Sequence, residues 1–413
     1  MSNDRSRVRW RSFAPGNLCN LAHFAPGESA MIKTCELCRL DALEPAYGRD
    51  RANGSTVYIC GHCGLTQSQR LAQSGAAFSS TEGAAEGRDA VGVSSRIALL
   101  RQHADLSLPL SVLDVGAGRG NFVRRFLSAA PNASLTAIEP DQRQSWACAF
   151  LNRSKVISTP IEETCLPDEY FDIVHSGHTL EHLAAPYSVL ADHWRVLKPG
   201  GLLVVACRNI GAIRDEAIVE EWFAQNIRYH FSQVTLSCML HAAGFALIEV
   251  SDENDRENIF IVATKTETTP REVTANPLEV HSARALVSLY RSARGRNLSA
   301  LRGMVAELNA LARRGMAICG SGRLLDSLVR HGGLDRNRFL FLSEAQMPLK
   351  AGLHEGASSH DWAQLKEANP GVIVVMSDAH ANEIAQLASR CAPTTEIIHY
   401  SEIVFRAYGR LAA

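Results

Sequence analysis

Residues 112–121 read Val-Leu-Asp-Val-Gly-Ala-Gly-Arg-Gly-Asn, an apolar strand pattern that runs into three glycines and then into a helical pattern over 122–130. Glycines let the backbone turn tightly and approach a ligand closely. In an open parallel sheet, such a loop borders the crevice beyond the carboxyl ends of the strands. By itself the pattern fits either a nucleotide-type cofactor site or a plain tight turn.

The chain around this loop alternates between strand and helix patterns. The expected strands are 112–113, 135–138, 171–174 and 202–206, and the expected helices are 122–130, 144–151 and 186–197. Two further apolar runs, 245–250 and 259–263, flank a polar stretch and predict a hairpin that closes the sheet. This succession predicts an α/β fold, with an open Rossmann-like sheet and helices on both faces.

The composition is that of an ordinary globular chain with two or three folding units. Its 413 residues exceed the usual size of one domain, and 46% of them are hydrophobic. Lys and Arg total 42 against 43 Asp and Glu, so the net charge of -1 gives no reason to expect a nucleic acid or an anionic membrane as partner. The longest apolar runs are strand-sized, well short of the roughly 20 residues that cross a bilayer. We therefore expect a cytoplasmic protein with a small-molecule substrate.

Four of the 11 cysteines form two matched pairs. Residues 35–38 read Cys-Glu-Leu-Cys, residues 60–63 read Cys-Gly-His-Cys, and the apolar run 56–59 predicts a strand that leads into the second pair. Each pair places two sulfurs on one tight turn, which is typical of a structural four-thiolate zinc site. The alternatives are four unrelated cysteines, or a site in which His62 replaces one sulfur. The expected metal ligands are Cys35, Cys38, Cys60 and Cys63.

The segments before the alternating region differ in composition. Residues 1–30 are rich in Arg, Ser, Asn, Pro and Gly and predict a flexible extension, and residues 31–73 hold the zinc-binding module. Residues 74–95, rich in Ser, Gly and Ala, predict a linker or an ordered loop before the domain at 96–265.

The last part of the chain, 266–413, predicts a smaller α/β substrate or accessory domain. Its expected strands are 316–319, 339–342, 372–376 and 396–399, and its expected helices are 283–293, 299–313, 324–329 and 383–390. Polar loops follow two of these strands, at 320–322 and 377–380. These loops either cradle a substrate phosphate or are ordinary turns.

Further motifs support a cofactor site at the glycine loop. Glu139 ends the second expected strand, where its carboxylate can accept both hydroxyls of a ribose. The glycines follow GxGxG and not the GxGxxG of dehydrogenases. Later come Phe-Asp-Ile-Val at 171–174, Glu-His-Leu at 181–183 and Leu-Lys-Pro-Gly-Gly at 197–201. At these motifs, over about 96–265, the chain strongly resembles the class I S-adenosylmethionine (SAM)-dependent methyltransferases.

This resemblance implies that SAM is the cofactor and indicates where it binds. The three glycines of the loop would line its methionine and ribose parts, Glu139 would hold the ribose, and Glu162 would border the adenine. The expected cofactor-binding residues are Asp114, Gly116, Ala117, Gly118, Gly120, Glu139, Pro140, Glu162 and His178.

Residues 178–182, His-Thr-Leu-Glu-His, also match the HxxEH pattern, in which two histidines of one helix bind a catalytic zinc. Because the segment follows an expected parallel strand, the methyltransferase interpretation is favoured. His178 and His182 then face the substrate above the cofactor, or one of them only packs.

The layout of zinc module, catalytic domain and C-terminal α/β domain resembles the sugar-nucleotide C-methyltransferases of deoxysugar pathways. In that family a base removes the proton next to a keto group, and the enolate attacks the methyl group. The family's Tyr-x-Glu-His element is not found here, because residues 228–232 read Arg-Tyr-His-Phe-Ser. Tyr229 and His230 are possible substitutes, although His230 equally fits a packed position. The candidate catalytic residues are His182, His230, Tyr229 and His178.

Two other functions remain open. The same architecture supports O- or N-methylation of another small-molecule or natural-product acceptor, which mainly requires alignment and one base. The missing Glu-His pair also fits a non-catalytic binding or scaffold protein with a degenerate methyltransferase fold.

Overall fold

A computed structural model describes residues 33–48, 56–69, 85–142, 153–213, 222–223, 227–250, 257–266, 272–320, 323–342, 365, 367–377 and 381–412. The expected extension 1–30, the helix expected at 144–151 and the loop residues 321–322 and 378–380 lie outside this part of the chain. The described residues fall into two compact units. The first belongs to Met1–Gly211 and Gln225–His281, and the second to Ala212–Ala224 and Ser282–Ala413.

The strands of the described residues are numbered here in chain order. They are β1 Leu43–Tyr47, β2 Thr56–Cys60, β3 Thr66–Gln69, β4 Ser111–Val115, β5 Ser134–Ile138, β6 Ser154–Ile157, β7 Phe171–Gly177, β8 Leu197–Arg208, β9 Tyr229–His230, β10 Phe245–Val250, β11 Asn258–Lys265, β12 Met316–Cys319, β13 Leu340–Leu342, β14 Val372–Val375 and β15 Glu396–His399.

The helices are numbered in the same way. They are α1 Ala85–His103, α2 Asn121–Ala129, α3 Pro186–Val196, α4 Gln233–Ala242, α5 Pro277–Ala312, α6 Arg323–Ser327, α7 Ala381–Cys391 and α8 Tyr400–Ala412. None of the helices in the described residues combines the length and apolar character that a membrane span requires.

The central sheet of the first unit has seven strands in the order β10-β11-β8-β7-β4-β5-β6. The strands from β8 to β6 are parallel, whereas β11 runs antiparallel to both β8 and β10. The predicted α/β sheet and its closing hairpin are therefore confirmed. The strand order reverses between β4 and β7, and there the carboxyl ends of the strands leave a crevice in such sheets.

Helices bury apolar stripes against this sheet. Helix α2 begins after Gly120 and buries Phe122, Val123, Phe126 and Leu127. Helix α4 begins at a capping box in which Ser232 and Thr235 satisfy each other's backbone amides. Helix α2 was expected at 122–130, whereas α4 was not predicted from the sequence.

Two expectations about the helices are corrected. Residues 85–95, assigned to the second half of a linker, belong to α1, because Val93, Ile97 and Leu100 recur at helical spacing and are buried. The two helices expected at 283–293 and 299–313 form the single helix α5. Gly295, which separates them in the sequence, is accommodated inside that helix at a modest cost.

A second sheet in the first unit has the order β1-β2-β3-β9, with antiparallel pairing throughout. Its first three strands come from the cysteine-rich segment, and the fourth is Tyr229–His230, which pairs with Thr66 and Gln67. We call this the ribbon sheet. The segment expected to be a separate module at 31–73 thus belongs to the first unit, together with residues far along the chain.

The second unit has a parallel sheet in the order β13-β12-β14-β15. All four of its strands coincide closely with the expected ones. Strands β12 and β14 are fully buried apolar runs, whereas β13 and β15 are only partly buried. The boundary between the units falls after His281, later than the expected boundary at 265.

Candidate functional site

The glycine loop connects β4 to α2 at the point where the strand order reverses. Gly116, Gly118 and Gly120 have φ angles of 77°, 52° and 75°, which lie in the left-handed region that favours glycine. A Cβ atom on Gly116 would collide with the side chain of Thr179, whose hydroxyl donates to the Val115 carbonyl at 3.0 Å. The loop is therefore fixed by close contact with the segment after β7. A side chain in place of Gly116 would not fit there.

Glu139 lies directly after β5, next to this loop. Its Oε2 atom accepts a hydrogen bond from the Gly118 amide at 2.7 Å, and its Oε1 atom accepts one from the Asp141 amide at 2.9 Å. Burial raises the pKa of Glu139 from its ordinary value, because the crevice withdraws the carboxyl from water. A carboxylate at the loop backbone with remaining lone pairs suits a ribose diol.

Asp114 lies under the loop and is fully buried. Its Oδ1 atom lies 2.7 Å from Nδ1 of His175, the residue beside it on the neighbouring strand β7. The His175 ring stacks on Phe122, with 3.6 Å between ring centroids. Asp114 therefore supports the loop from the sheet side.

The remaining expected cofactor residues differ in how exposed they are. Ala117 is buried, whereas Pro140 is exposed after Glu139. Glu162 is exposed in the short turn Ile161–Glu163, which is anchored by the buried Ile161. Because it is exposed, the Glu162 carboxylate can remain ionised without a cost of burial.

Residues 178–182 do not form the helix that the HxxEH zinc pattern requires. His178 has a φ angle of 54°, and Leu180–His182 forms one 3-10 turn. Nδ1 of His178 lies 3.3 Å from Oε1 of Glu181, which is buried. Among the described residues, the one group with the geometry of a metal site is the cysteine cluster. The methyltransferase interpretation of this segment is thus favoured over zinc hydrolysis.

His230 lies in strand β9 and is buried beside the same turn. Its Nε2 atom is 2.8 Å from the Ser68 hydroxyl. Burial, with a smaller contribution from Arg208, lowers the pKa of His230 to about 3, so its imidazole is neutral at pH 7. The backbone of β9 is joined to the turn, since the Arg228 amide donates to the Glu181 carbonyl at 2.7 Å.

The contacts of Tyr229 do not fit the catalytic role that the sequence suggests. Its hydroxyl donates to the Ala184 carbonyl at 3.0 Å. Burial and the nearby Glu36 raise the pKa of Tyr229, so the phenol stays protonated at neutral pH. The structure therefore brings His178, His182 and His230 together around Glu181, with Tyr229 holding the segment after the turn.

The four expected metal ligands come together in the ribbon sheet. The Sγ atoms of Cys35, Cys38, Cys60 and Cys63 all lie within 4.8 Å of one another, and the closest pairs are 3.5 and 3.6 Å apart. Tetrahedral zinc with Zn–S bonds of about 2.3 Å requires sulfurs roughly 3.8 Å apart. The donor set and its spacing therefore fit one zinc ion.

His62 is not part of this cluster. Its Nε2 atom lies 3.1 Å from the Val273 carbonyl, and its own carbonyl accepts from the Asn276 amide at 2.8 Å. The second cysteine turn is thus anchored to the segment before α5, which is a packing role for His62.

The glycine loop, Glu139 and the histidine turn fall within one region of sequence similarity. Residues 113–205 match the family model described as a methyltransferase domain. We call these residues the methyltransferase domain, after the family model that they match. It contains the crevice at which the strand order of the central sheet reverses.

Relatives of this methyltransferase domain are found in several bacteria. An uncharacterized methyltransferase of Mycolicibacterium vanbaalenii is 35% identical over 100 residues, which are 24% of this chain and 38% of that protein. The ubiquinone/menaquinone biosynthesis C-methyltransferase UbiE of Stutzerimonas stutzeri is 26% identical over 166 residues, 32% of this chain and 64% of that protein. The chain therefore spans less than two thirds of the length of either relative.

A solved structure is also similar to part of this chain. The S-adenosylmethionine dependent methyltransferase from Mesorhizobium loti covers 41% of this chain and 96% of its own, at 17% identity and a TM-score of 0.35.

The sequence did not predict a site role for three residues: Thr179 and Glu181 near the glycine loop and the histidine turn, and Ser68 in β3. Glu181 was detectable, because an acid between two histidines at short spacing is a frequent orienting group. Ser68 carried no comparable signal, since its partner His230 is far along the chain.

Proposed function

We propose that the chain transfers a methyl group from SAM to a small polar acceptor of the nucleotide-linked sugar type. One observation carries this proposal: the glycine loop, with Glu139 bonded to the Gly118 amide, lies at the strand-order reversal of a methyltransferase domain. A loop of left-handed glycines beside a half-buried carboxylate suits a nucleoside with a free ribose.

Different residues around the loop would bind different parts of the cofactor. Gly116 and Gly118 would approach its methionine and ribose parts, Glu139 would accept the ribose hydroxyls, and Glu162 would border the adenine. When bound, SAM supplies an electrophilic methyl group on a sulfonium that leaves as a neutral thioether. The protein must then align a nucleophile and remove its proton.

The carboxyl ends of β7 and β8 supply groups for that proton transfer. His178, His182 and the buried Glu181 lie on one turn, next to His230 on β9. A neutral His230 is a poor base at pH 7, because its pKa of about 3 is far from the operating pH. Its Nε2 atom is engaged with the Ser68 hydroxyl, so His230 would order β9 beside the turn and leave the proton transfer to the turn itself. A base on this turn would generate the enolate that C-methylation next to a keto group requires.

The layout of the chain supports a nucleotide-sugar acceptor. A four-cysteine ribbon, a methyltransferase domain and a second α/β unit occur in the order of the sugar-nucleotide C-methyltransferases that the sequence resembles. The relative from Stutzerimonas stutzeri bears the name of a C-methyltransferase, which supports carbon as the methylated atom. The four cysteines would hold zinc in a structural role, because four thiolates leave no position open for a water molecule.

A transfer assay tests this function. The full chain, purified with zinc, is incubated with SAM and a panel of keto-sugar nucleotides, other sugar nucleotides and small polar natural products. We expect S-adenosylhomocysteine to form with a keto-sugar nucleotide, and the product to carry a new C-methyl resonance.

The other outcomes of the assay contradict parts of the proposal. An O- or N-methyl product would replace enolate chemistry by the simpler alignment mechanism. Cofactor binding without turnover on any member of the panel would favour the scaffold alternative. Loss of turnover in His182→Ala or His178→Ala with SAM binding intact would support an enzyme.

A further inference from the structure

We propose that Glu181 is the positioning residue that holds His178 as the proton acceptor of the reaction. This inference rests on the proposed function and deepens it, because it selects one base among the candidate histidines.

His178 is placed at the junction of the acceptor side and the glycine loop. Its amide donates to the Ala206 carbonyl of β8 at 2.7 Å, which anchors it where β7 ends. The next residue, Thr179, has the side chain that closes on Gly116. A left-handed φ of 54° is uncommon for histidine, and such strain concentrates at functional sites.

Glu181 lies behind His178 on the side away from solvent. The Glu181 side chain is 3% exposed and the His178 side chain is 30% exposed. Oε1 of Glu181 lies 3.3 Å from Nδ1 of His178 and also accepts from the Arg208 amide at 3.3 Å. The carboxylate is therefore fixed to β8, while the histidine ring stays partly exposed.

The contact with Nδ1 of His178 favours the carboxylate form of Glu181. Burial alone raises the pKa of its carboxyl, but the hydrogen bond from His178 and the charges of His178 and His182 lower it to about 2. A buried anion beside Nδ1 requires a proton on that nitrogen, which fixes the tautomer of the neutral ring.

This tautomer places the lone pair of His178 on Nε2. In the proposed step, the carbon–hydrogen bond next to the acceptor's keto group breaks and its proton goes to Nε2. The electron pair stays on the acceptor as an enolate. The imidazolium that forms is stabilised by Glu181, which itself remains ionised.

Two of the other candidates, His230 and Tyr229, are less suited to this proton transfer. Nε2 of His230 is engaged with Ser68, and the Tyr229 hydroxyl donates to a backbone carbonyl. Glu181 and His175 are the titratable groups that interact electrostatically with His178. Further charged groups lie around these two residues: His182 beside Glu181, Arg96 beside His175, and Arg208 beside His230, which itself interacts with Glu181.

Nitrogen NMR of the histidine rings tests the assignment without a known acceptor. The full, zinc-loaded chain is labelled with ¹⁵N-histidine and saturated with S-adenosylhomocysteine, and His178→Gln identifies the resonances of His178. We expect a neutral ring protonated at Nδ1 in the wild type and a shift towards the Nε2–H form in Glu181→Gln. The exposed Glu402→Gln should leave the spectrum unchanged.

A wild-type His178 ring protonated at Nε2, with S-adenosylhomocysteine bound, would overturn the inference while leaving the proposed function intact. Failure of the ligand to bind the folded chain would instead contradict the proposed function. The tautomer of His178 in the wild type tests the inference even where Glu181→Gln does not fold.

Kinetics on an acceptor that turns over give a second test. Glu181→Gln should lower kcat at least about tenfold and move the acid limb of the kcat profile to lower pH, with an unchanged Kd for SAM. A purely structural role would lower Tm and leave the position of the acid limb unchanged.

Discussion

Nε2 of His230 lies 2.8 Å from the hydroxyl of Ser68, so a buried hydrogen bond joins β9 to β3 in the ribbon sheet. The Ser68 amide also donates to the Arg228 carbonyl at 2.7 Å. Arg228 in turn donates to the carbonyl of Glu181. Strand β3 of the ribbon sheet and the histidine turn are therefore connected by hydrogen bonds through residues 228–230, within one unit.

Ser68→Ala should destabilise the first unit. The substitution leaves a buried imidazole nitrogen without this partner, which costs roughly 1–3 kcal/mol. We expect the Tm measured by calorimetry to fall by about 2–6 °C. Ser128→Ala is the matched control, because the Ser128 hydroxyl is exposed and donates within its own helix to Arg124. Equal Tm values for the two variants would show that the bond to His230 contributes nothing.

Removal of the metal should loosen β9 as well as the cysteine turns. We expect one zinc per chain by elemental analysis, and its loss in Cys60→Ser. The exposed Cys165→Ser should retain the metal. After chelation, hydrogen exchange at the amides of Tyr229 and His230 should speed up, because β9 pairs with β3 of the same sheet. Zinc-free protein with unchanged exchange at β9 would disprove this coupling.

His193 should make the protein sensitive to acid. The residue is fully buried in α3, and neither ring nitrogen has a hydrogen-bond partner among the described residues. Burial, followed by the charge of His175, lowers the pKa of His193 from 6.5 to about 3. Above pH 6.5 the ring is neutral in both folded and unfolded chains. As the pH falls from 6.5 towards 3, the unfolded chain binds the proton first, and stability is lost.

Urea unfolding of the wild type and His193→Leu between pH 7.5 and 4.5 measures this effect. The variant should lose less stability on acidification, by up to ~1.4 kcal/mol per pH unit. Residual pH dependence is expected from His230 and Glu181, whose lowered pKa values act in the same direction. Parallel pH curves for the two proteins would rule out a buried neutral His193.

Local patterns in the sequence predicted most of the sheet strands. The strands β12 and β15 have the expected bounds, and the hairpin β10–β11 pairs as expected, because each is a short apolar run between polar breaks. The cysteine cluster was equally predictable, since ligand spacing on two tight turns is a local property.

The features that escaped prediction depend on contacts between distant residues. Tyr229–His230 is a strand only because Thr66–Gln69 offers it an edge, and two residues carry no periodicity of their own. The role of Glu181 depends on where β8 ends, since Arg208 fixes its carboxylate. The sequence predicts two helices at 283–293 and 299–313, but α5 continues through Gly295, although glycine usually weakens helices.

Titration calorimetry with SAM on the folded, zinc-loaded chain tests the central claim most directly. We predict binding at one site per chain, strong weakening in Glu139→Ala, and loss in Gly116→Val, whose side chain would collide with Thr179. Gly295→Ala, in a helix of the second unit, should bind as the wild type does. Absence of SAM binding to the folded wild type, or full binding by Gly116→Val, would contradict the assignment of this loop as the cofactor site.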